Sequence, residues 1–451
     1  MESTQLDRVD LGRELRTSVP RSAHGDWTPG SSRPDPIDVL EASNATRLPE
    51  LVPIRFGRMV DSPFAFFRGS AGLMALDLAE SPVSGLRVQA CGDAHVSNFG
   101  EFATPGRTLV FDINDFDETL PGPWEWDVKR LATSLDLVVR LQTRSPDVRA
   151  NVVATAVRAY RERMAGYGRM GVLDLWASRI EINDVLDHFP LRYRRDIQRN
   201  VARARRRTHH EAAARLTRLE GGRRQFVEDP PLIVRLANTE HHPEEALGVL
   251  AGYRESLAED RQELLDRYRL MDVARKTVGV GSVGTRCWVA LFEGREHGVG
   301  DPLVLQIKEA NASVLEPYAG NASQSHHGQR VVAGQRRTQA ASDMLLGWSV
   351  GPASGRQYYI RQLWNMKGKG DPTLLDLVSL SRQGSLCAWA LARAHARTGD
   401  PQAIAGYVGR GRRFDKAMVE FAARYGDQVE RDHAALVDAV SSGRLEARPG
   451  V

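Results

Sequence analysis

Two short segments of the sequence concentrate oxygen-bearing side chains. The first, "CGDAHVSNFG" at residues 91–100, contains Asp93 and Asn98; the second, "LVFDINDFDE" at residues 109–118, is an apolar run interrupted by acids. The acids of the second segment are Asp112, Asp115, Asp117 and Glu118. Carboxylates this close together repel one another unless a cation lies between them. Because Mg²⁺ prefers hard oxygen ligands, the two segments predict a divalent-cation site.

A glycine-rich loop lies further along the chain. In "GVGSVGT" the residues Gly279, Gly281 and Gly284 form the pattern G-x-G-x-x-G, which also includes Ser282. The pattern alone is weak, since a dinucleotide-binding fold, a phosphate-covering loop and a plain turn all contain it. The segment that follows, "TRCWVALF", is strand-like, whereas a dinucleotide-binding fold would need a helix there. A glycine loop between two strands covers phosphates with its backbone N–H groups in kinases, and we predict that role here.

Lys308 lies on the next predicted strand, in "LVLQIKEA". The chain has 61 lysines and arginines, of which only six are lysines. In so arginine-rich a chain a lysine in an apolar strand is informative, because the two side chains act differently as point charges. The alternative is a charge that merely solvates an edge strand. The position after the glycine loop favours a lysine that pairs with phosphates, as on the third strand of kinases.

The spacing of the acids assigns them different roles. Asp93 and Asn98 are five residues apart, the separation at which kinase catalytic loops place a catalytic Asp and a metal-binding Asn. Asp115 begins "DFD", where D-F-G stands in protein kinases, so we predict it as the main metal-binding carboxylate. Asp112 and Asp117 are further metal candidates, and strand alternation would send Asp112 and Asp115 to opposite faces. The alternative is a capped turn with solvated acids.

These motifs resemble known families. "GDAHVSN" is similar to the G-D-x-H-x-x-N motif of aminoglycoside and small-molecule phosphotransferases, which belong to the protein-kinase-like superfamily. "FDINDFDET" and "WEWDVKRLA" are similar to later segments of the same phosphotransferases. The resemblance implies ATP and Mg²⁺ as cofactors, with Asp127 supporting the catalytic loop from a buried helix. Arg68, in "FFRG", is a candidate substrate or phosphate contact, with a structural arginine as the alternative.

A more specific resemblance covers about residues 50–440. The segments "FFRGSA", "CGDAHVSNFGEF", "NDFDE", "VGVGSVGTR", "QIKEA" and "YYIRQL" are similar to an uncharacterised bacterial family, the domain-of-unknown-function family numbered twenty-two fifty-two. This resemblance implies family membership and little biochemistry.

The chain departs from the kinase pattern in three respects. The His that usually opens the catalytic loop is Cys91 here. The helix expected over 329–342 has no acid to pair with Lys308, and Glu316 is the proposed substitute. The third departure is the order, since the catalytic loop precedes the glycine loop. A circular permutation explains this order, because "LARAHARTGD" at 391–400 is similar to the helix that normally leads into the catalytic loop.

We therefore predict an α+β, bilobal, protein-kinase-like fold that is circularly permuted, with a small antiparallel β lobe and a large helical lobe. Residues 1–48 are polar and predict a mobile tail. Residues 49–275 would form the large lobe with the catalytic and metal-binding loops. Residues 276–365 would form the nucleotide-binding β lobe, and residues 366–451 a helical segment that returns to the large lobe.

Composition excludes several other classes of protein. The chain is 42% hydrophobic and carries a net charge of +4, which is too mild to indicate nucleic acid by itself. The arginine-dense segment at 192–210 is compatible with an acidic ligand, but a solvated helix face is the favoured interpretation. No apolar run is long enough to predict a membrane span, and no signal peptide is expected. Three scattered cysteines indicate neither disulfides nor a zinc site, so we expect a cytoplasmic protein.

The predicted function is ATP- and Mg²⁺-dependent phosphoryl transfer to an unidentified hydroxyl acceptor, with a small molecule favoured over a protein. One alternative is an enzyme that transfers AMP on the same fold. A second is a non-catalytic ATP-binding module, and a third is a metal hydrolase that uses Asp93, His95 and Asp112. The third leaves the glycine loop and Lys308 unexplained. The sequence leaves the oligomeric state open.

Overall fold

The fold combines helices with antiparallel strands. A computed structural model describes residues 5–188, 191–206, 209–236, 243–277, 279–294, 300–363 and 370–450. Strands pair antiparallel in every sheet of these residues, so the predicted α+β class with small antiparallel sheets is confirmed. None of the described helices combines the length and apolarity that crossing a membrane requires.

The first described residues form helices. α1 to α5 are Gln5–Ser18, Pro36–Asn44, Val52–Met59, Pro63–Gly69 and Ala71–Ala79. Side-chain oxygens start two of these helices, since Asp35 caps α2 and Ser62 caps α4, each followed directly by a proline. Asp35–Pro36 and Ser62–Pro63 are therefore helix-start signals.

The prediction of a mobile tail over 1–48 is wrong for residues 5–48. Arg33 is buried and forms ion pairs with Asp77 and Asp432, each at 2.7 Å. The imidazole of His24 lies 2.6 Å from the hydroxyl of Tyr407 in the interior. A buried arginine with two carboxylate partners is too costly to leave unpaired, so these contacts fix the segment to the C-terminal helices.

The two acidic segments lie in loops at the ends of short strands. β1 to β4 are Arg87–Ala90, Phe99–Ala103, Leu109–Ile113 and Leu120–Pro123. β1 pairs with β4, and β2 pairs with β3, so the loops that follow β1 and β3 are brought side by side. The helices α6, Trp124–Arg140, and α7, Pro146–Tyr167, come next. Every residue of α6 is buried, which makes it the central support of these loops.

A helical and partly basic stretch follows. Its elements α8, β5, α9, α10, α11, β6 and β7 are Val172–Ala177, Ile180–Glu181, Ile182–His188, Leu191–Arg206, His209–Leu216, Thr217–Glu220 and Arg223–Phe226. β5 extends the sheet of β2 and β3, while β6 and β7 form a hairpin. The arginine-dense segment predicted to be helical lies largely in α10.

A six-stranded sheet forms the second part of the fold. Its strands β8 to β13 are Ile233–Arg235, Tyr268–Lys276, Cys287–Gly294, Pro302–Glu309, Gly347–Val350 and Gln357–Gln362. The helices α12 to α15 are Pro243–Tyr253, Glu259–Asp266, Glu316–Ala319 and His327–Thr338. The strand order is β12-β13-β11-β10-β9-β8.

Both faces of this sheet are covered. Alternate residues of β10 enter two separate apolar clusters, with Ala290 and Phe292 in one and Val289 and Leu291 in the other. A strand buried on both faces reads as a continuous apolar run, which is why "CWVALF" shows no alternation. The sheet includes β8 and β9, which precede the predicted boundary at residue 276. The predicted boundary at residue 366 lies outside the described residues.

Three helices complete the structure. α16, α17 and α18 are Leu377–Thr398, Pro401–Val408 and Arg413–Ser441. The hydroxyl of Thr398 accepts the backbone N–H of Gln89 at 3.1 Å, so α16 ends beside β1. The segment predicted to lead into the catalytic loop is thus adjacent to that loop in space, although it comes much later in sequence.

Candidate functional site

A cavity of about 270 Å³ opens between the acidic loops and the six-stranded sheet. Polar residues from both parts of the fold line it. Of the sequence-predicted residues, those in the lining are Arg68, Asp93, Asn98, Asp115, Asp117, Gly279, Gly281, Ser282 and Lys308. Gly284, Asp112 and Glu316 lie outside the lining. The structure therefore brings together residues that are as far apart in sequence as Arg68 and Lys308.

The loop after β1 is held from beneath by Asp127, in the first turn of α6. Its carboxylate accepts the backbone N–H groups of Cys91 at 2.6 Å and Gly92 at 2.9 Å. The Nε2 of His395 on α16 lies 3.1 Å from the same carboxylate. Gly92 has φ = +81°, and a Cβ there would clash with the carbonyl oxygen of Glu118. These contacts fix the loop that carries Asp93.

Asp93 is held by an arginine that sequence reasoning missed. Nε and Nη2 of Arg130, on α6, lie 2.8 and 2.7 Å from Asp93 Oδ1, and Nη2 also donates to the carbonyl of Phe67 at 2.7 Å. The Nδ2 of Asn98 donates to the backbone carbonyl of Asp93 at 2.8 Å. Arg130 is buried in a helix with five other buried charged residues, so its type and position in the sequence did not single it out.

His95 faces the other oxygen of Asp93. Its Nε2 is 3.7 Å from Asp93 Oδ2. Burial lowers the pKa of His95 to about 3, against the opposing field of Asp93. The imidazole is therefore neutral at physiological pH, and Arg130 is the cation that balances the Asp93 carboxylate.

Lys308 is buried and paired with acids of the second loop. Its Nζ lies 2.5 Å from Asp117 Oδ2 and 3.8 Å from Asp115 Oδ1. Burial lowers the pKa of Lys308, but the fields of Asp115 and Asp117 outweigh it and raise the pKa well above its ordinary value. The hydroxyls of Tyr359 and Ser282 donate to Asp117 at 2.5 and 3.1 Å. Asp117 thus connects the loop after β3 to Lys308 on β11 and to Ser282 in the glycine loop.

Glu316 is not the acidic partner of Lys308 that we predicted. It lies on the short α14, and its carboxylate is 3.8 Å from both His327 and Arg330. Asp117 takes the place beside Lys308 instead. The two residues are 191 positions apart, so no local pattern in the sequence could show the pairing.

Asp112 is a structural residue and not a metal candidate. It is the fourth residue of β3, and its Oδ2 lies 2.5 Å from Nη2 of Arg393, on α16, inside the core. The strand ends at Ile113, so Asp115 lies in the loop beyond it, with a side chain 35% exposed compared with 5% for Asp112. This placement also removes Asp112 from the metal-hydrolase alternative.

Breaking the buried Asp112–Arg393 pair is expected to destabilise the fold. Asp112→Ala leaves a buried guanidinium without its carboxylate, which costs about 3–5 kcal/mol in comparable pairs. Urea unfolding measures this loss. The matched control is Asp26→Ala, which removes an exposed ion pair with Arg424 and should cost about 1 kcal/mol or less. Equal stabilities of the two variants would contradict the assignment of Asp112 to the core.

The glycine loop joins β9 and β10 and is held by the N-terminal part of the chain. Arg47 donates to the carbonyl of Gly281 at 2.9 Å and to that of Val283, and the N–H of Leu48 donates to the carbonyl of Gly284 at 2.8 Å. Gly284 has φ = +90°, and a Cβ there would come within 2.9 Å of Arg47. Gly284 therefore serves the turn, while the first part of the loop faces the cavity.

The lining offers oxygen ligands but no complete metal cage. Among the described residues, no three His, Cys, Asp or Glu side chains converge as a metal site. Asn98, Asp115 and Asp117 nevertheless line the same cavity. Mg²⁺ commonly takes only one or two protein carboxylates and completes its octahedron with phosphate oxygens and water. The donor set fits Mg²⁺ that arrives with a phosphate ligand.

Fold and cavity together define a mixed α+β protein with a polar cavity that holds both acids and buried cations. The family described as "Uncharacterized protein conserved in bacteria", DUF2252, matches residues 47–439, and the chain belongs to this family. No curated protein and no solved structure matches the chain.

Proposed function

We propose that the chain is an ATP- and Mg²⁺-dependent phosphotransferase that acts on a hydroxyl acceptor. One observation carries the proposal: a single cavity is lined by Lys308, the Gly279–Ser282 segment, Asp93, Asn98 and Asp115. A charged buried lysine and a glycine loop can bind the phosphates of a nucleoside triphosphate, and hard oxygen ligands in the same cavity can bind its Mg²⁺.

Each group has a distinct part in the proposed reaction. Lys308 pairs with the nucleotide phosphates, and the backbone N–H groups of the glycine loop cover them. Asn98 and Asp115 hold Mg²⁺, which when bound neutralises charge on the phosphates. The acceptor oxygen forms a bond to the γ-phosphorus as the bond from that phosphorus to the bridging oxygen of ADP breaks. Asp93 orients the acceptor hydroxyl and accepts its proton.

The arrangement of the elements supports a circularly permuted kinase-like fold. β9 to β11 carry the glycine loop and the lysine, and α16 follows them in sequence. α16 then meets the earlier catalytic loop through the contact of His395 with Asp127, at 3.1 Å. Joining the C-terminal part to the N-terminal part would give the order that kinases use. Residues at both ends of the chain pack on each other, as the ion pair between Arg8 and Asp400 illustrates.

ATP with Mg²⁺ is expected to raise the melting temperature of the protein more than either alone. A ligand at about 100 times its Kd stabilises the folded state by about 2.7 kcal/mol. Lys308→Ala should reduce this stabilisation, whereas Lys416→Ala, an exposed lysine on α18, should keep it. The shift is compared between ligand-bound and ligand-free samples of each variant. Absence of any shift at millimolar ATP with Mg²⁺ would refute the proposed nucleotide site.

A further inference from the structure

Arg68 stands out among the cations of the cavity. It lies in the last turn of α4 and lines the cavity together with Asp93 and the glycine loop. Its Nε is buried and has no hydrogen-bond partner. Within the described part of the chain, we find no hydrogen bond donated by Arg68 and no ion pair. The ring of Phe64, 5.9 Å from Cζ of Arg68, contacts the guanidinium but accepts no N–H hydrogen bond from Nε. A buried N–H without an acceptor is costly, so a bound anion is the simplest physical account of this position.

The other arginines of the lining are occupied by protein groups. Arg47 holds the glycine loop, and Arg55 donates to the carbonyl of Gly69 at 2.7 Å and to Asn44 at 2.5 Å. Arg361 donates to Gln306 at 3.2 Å and to the carbonyl of Asn114 at 3.1 Å. These three side chains donate hydrogen bonds to protein groups, whereas Arg68 donates none to the described residues.

The electrostatic surroundings leave Arg68 under-compensated. Burial lowers the pKa of Arg68, while the fields of Asp93 and Asp371 oppose that shift. Arg130 already occupies Asp93 Oδ1, so Asp93 is shared between two arginines. Among the described residues, Arg68 therefore has no carboxylate of its own within hydrogen-bond distance, and a bound anion would supply that partner.

Arg68 lies close to both the glycine loop and Asp93. Its backbone carbonyl would lie 3.5 Å from a Cβ at Gly281, so the residue sits directly against the glycine loop. Its side chain is within the field of Asp93, the residue proposed to act on the acceptor. Arg68 thus lies between the loop that would cover the phosphates and the proposed acceptor side.

We propose that Arg68 is the centre of an oxyanion subsite that binds a phosphate-type group on the Asp93 side of the cavity. Guanidinium groups recognise such groups with paired, charge-assisted hydrogen bonds. Two sources have this chemistry: the transferable phosphoryl group of the nucleotide and an anionic group on the acceptor. In both cases this proposal adds a binding subsite to the phosphotransferase proposed above, and it rests on that function.

Isothermal titration calorimetry tests the subsite without requiring turnover. Inorganic phosphate, Mg·ATP and Mg·ADP are each titrated into the wild type, Arg68→Gln and the control Arg144→Gln, whose side chain is 87% exposed. Loss of a charge-assisted contact should weaken phosphate binding by about 10- to 100-fold in Arg68→Gln and leave Arg144→Gln unchanged. Weaker Mg·ATP with unchanged Mg·ADP identifies the transferable phosphoryl group as the source. Unchanged nucleotide binding with weaker binding of phosphate to the Mg·ADP complex identifies the acceptor.

The melting temperature of the ligand-free variant separates this proposal from a structural role. Because Arg68 makes no hydrogen bond or ion pair with the described residues, its replacement in Arg68→Gln should leave the melting temperature unchanged or raise it. A marked decrease, or phosphate and nucleotide affinities equal to those of the wild type, would overturn the subsite. Phosphate binding that depends on Arg68 in a protein that binds no nucleotide would keep the subsite and reject the phosphotransferase.

Discussion

Asp115→Asn is expected to abolish Mg²⁺-dependent turnover. Asp115 lines the cavity with a side chain 35% exposed, and its Oδ1 lies 3.8 Å from Lys308 Nζ compared with 2.5 Å for Asp117 Oδ2, so we assign the cation to Asp115. Metal-ion stabilisation of a transferring phosphoryl group is worth several kcal/mol, which corresponds to about 10³-fold or more in rate. Turnover on any acceptor found, measured over a range of Mg²⁺ concentrations, provides the test.

Asp117→Asn is the matched control for that variant, because it lies two residues away in the same loop. Its carboxylate holds Lys308 at 2.5 Å, so its loss should weaken nucleotide binding while the Mg²⁺ requirement persists. If Asp115→Asn kept full Mg²⁺-dependent activity and Asp117→Asn lost it, the assignment of the two carboxylates would be reversed.

Asp93→Asn is expected to leave Mg·ATP binding largely intact while turnover falls by about 10²–10⁴-fold. That range is the usual contribution of a positioned general base. Asparagine keeps the shape of the side chain and can still accept from Arg130, so the loop should remain in place. Titration of Mg·ATP and a turnover assay on the same preparation separate binding from transfer.

Ser97→Ala is a suitable control, since Ser97 lines the cavity in the same loop. Its hydroxyl has no part in the proposed reaction, and the variant should transfer phosphate at close to the wild-type rate. Turnover by Asp93→Asn at the wild-type rate would remove Asp93 from the mechanism.

The sequence could predict the residues whose roles depend on local spacing. Asp93 and Asn98 are five residues apart in one loop, and Gly279 and Gly284 of the glycine loop are separated by the same distance in sequence. Such spacings fix geometry within a single turn or loop, so they can be read without knowing the rest of the fold. The strands that carry the glycine loop and Lys308 were predictable for a similar reason, because both are apolar runs bounded by turn residues.

Ion pairs between residues that are distant in sequence could not be predicted in the same way. The partner of Lys308 is Asp117 and not Glu316, and the partner of Asp112 is Arg393. Each choice depends on which of many similar charges the tertiary structure brings close, and an arginine-rich chain offers many. Arg130 was overlooked for the same reason.

The N-terminal residues illustrate a different limit. Their average composition is polar, yet a few buried side chains such as Arg33 and His24 fix them to the C-terminal helices. Composition describes the mean of a segment, whereas packing depends on the particular residues that point inward. The same residues bring Arg47 to the glycine loop, so the segment also shapes the candidate site.

The central claim is tested most directly by following label from ATP. The protein is incubated with Mg²⁺, a bacterial extract as the source of acceptor, and ATP radiolabelled at either the γ- or the α-phosphate. We predict that γ-label appears in a product, that α-label does not, and that Asp93→Asn and omission of Mg²⁺ both prevent the transfer. Transfer of α-label would identify an AMP-transferring enzyme, and transfer of neither label would contradict a phosphotransferase.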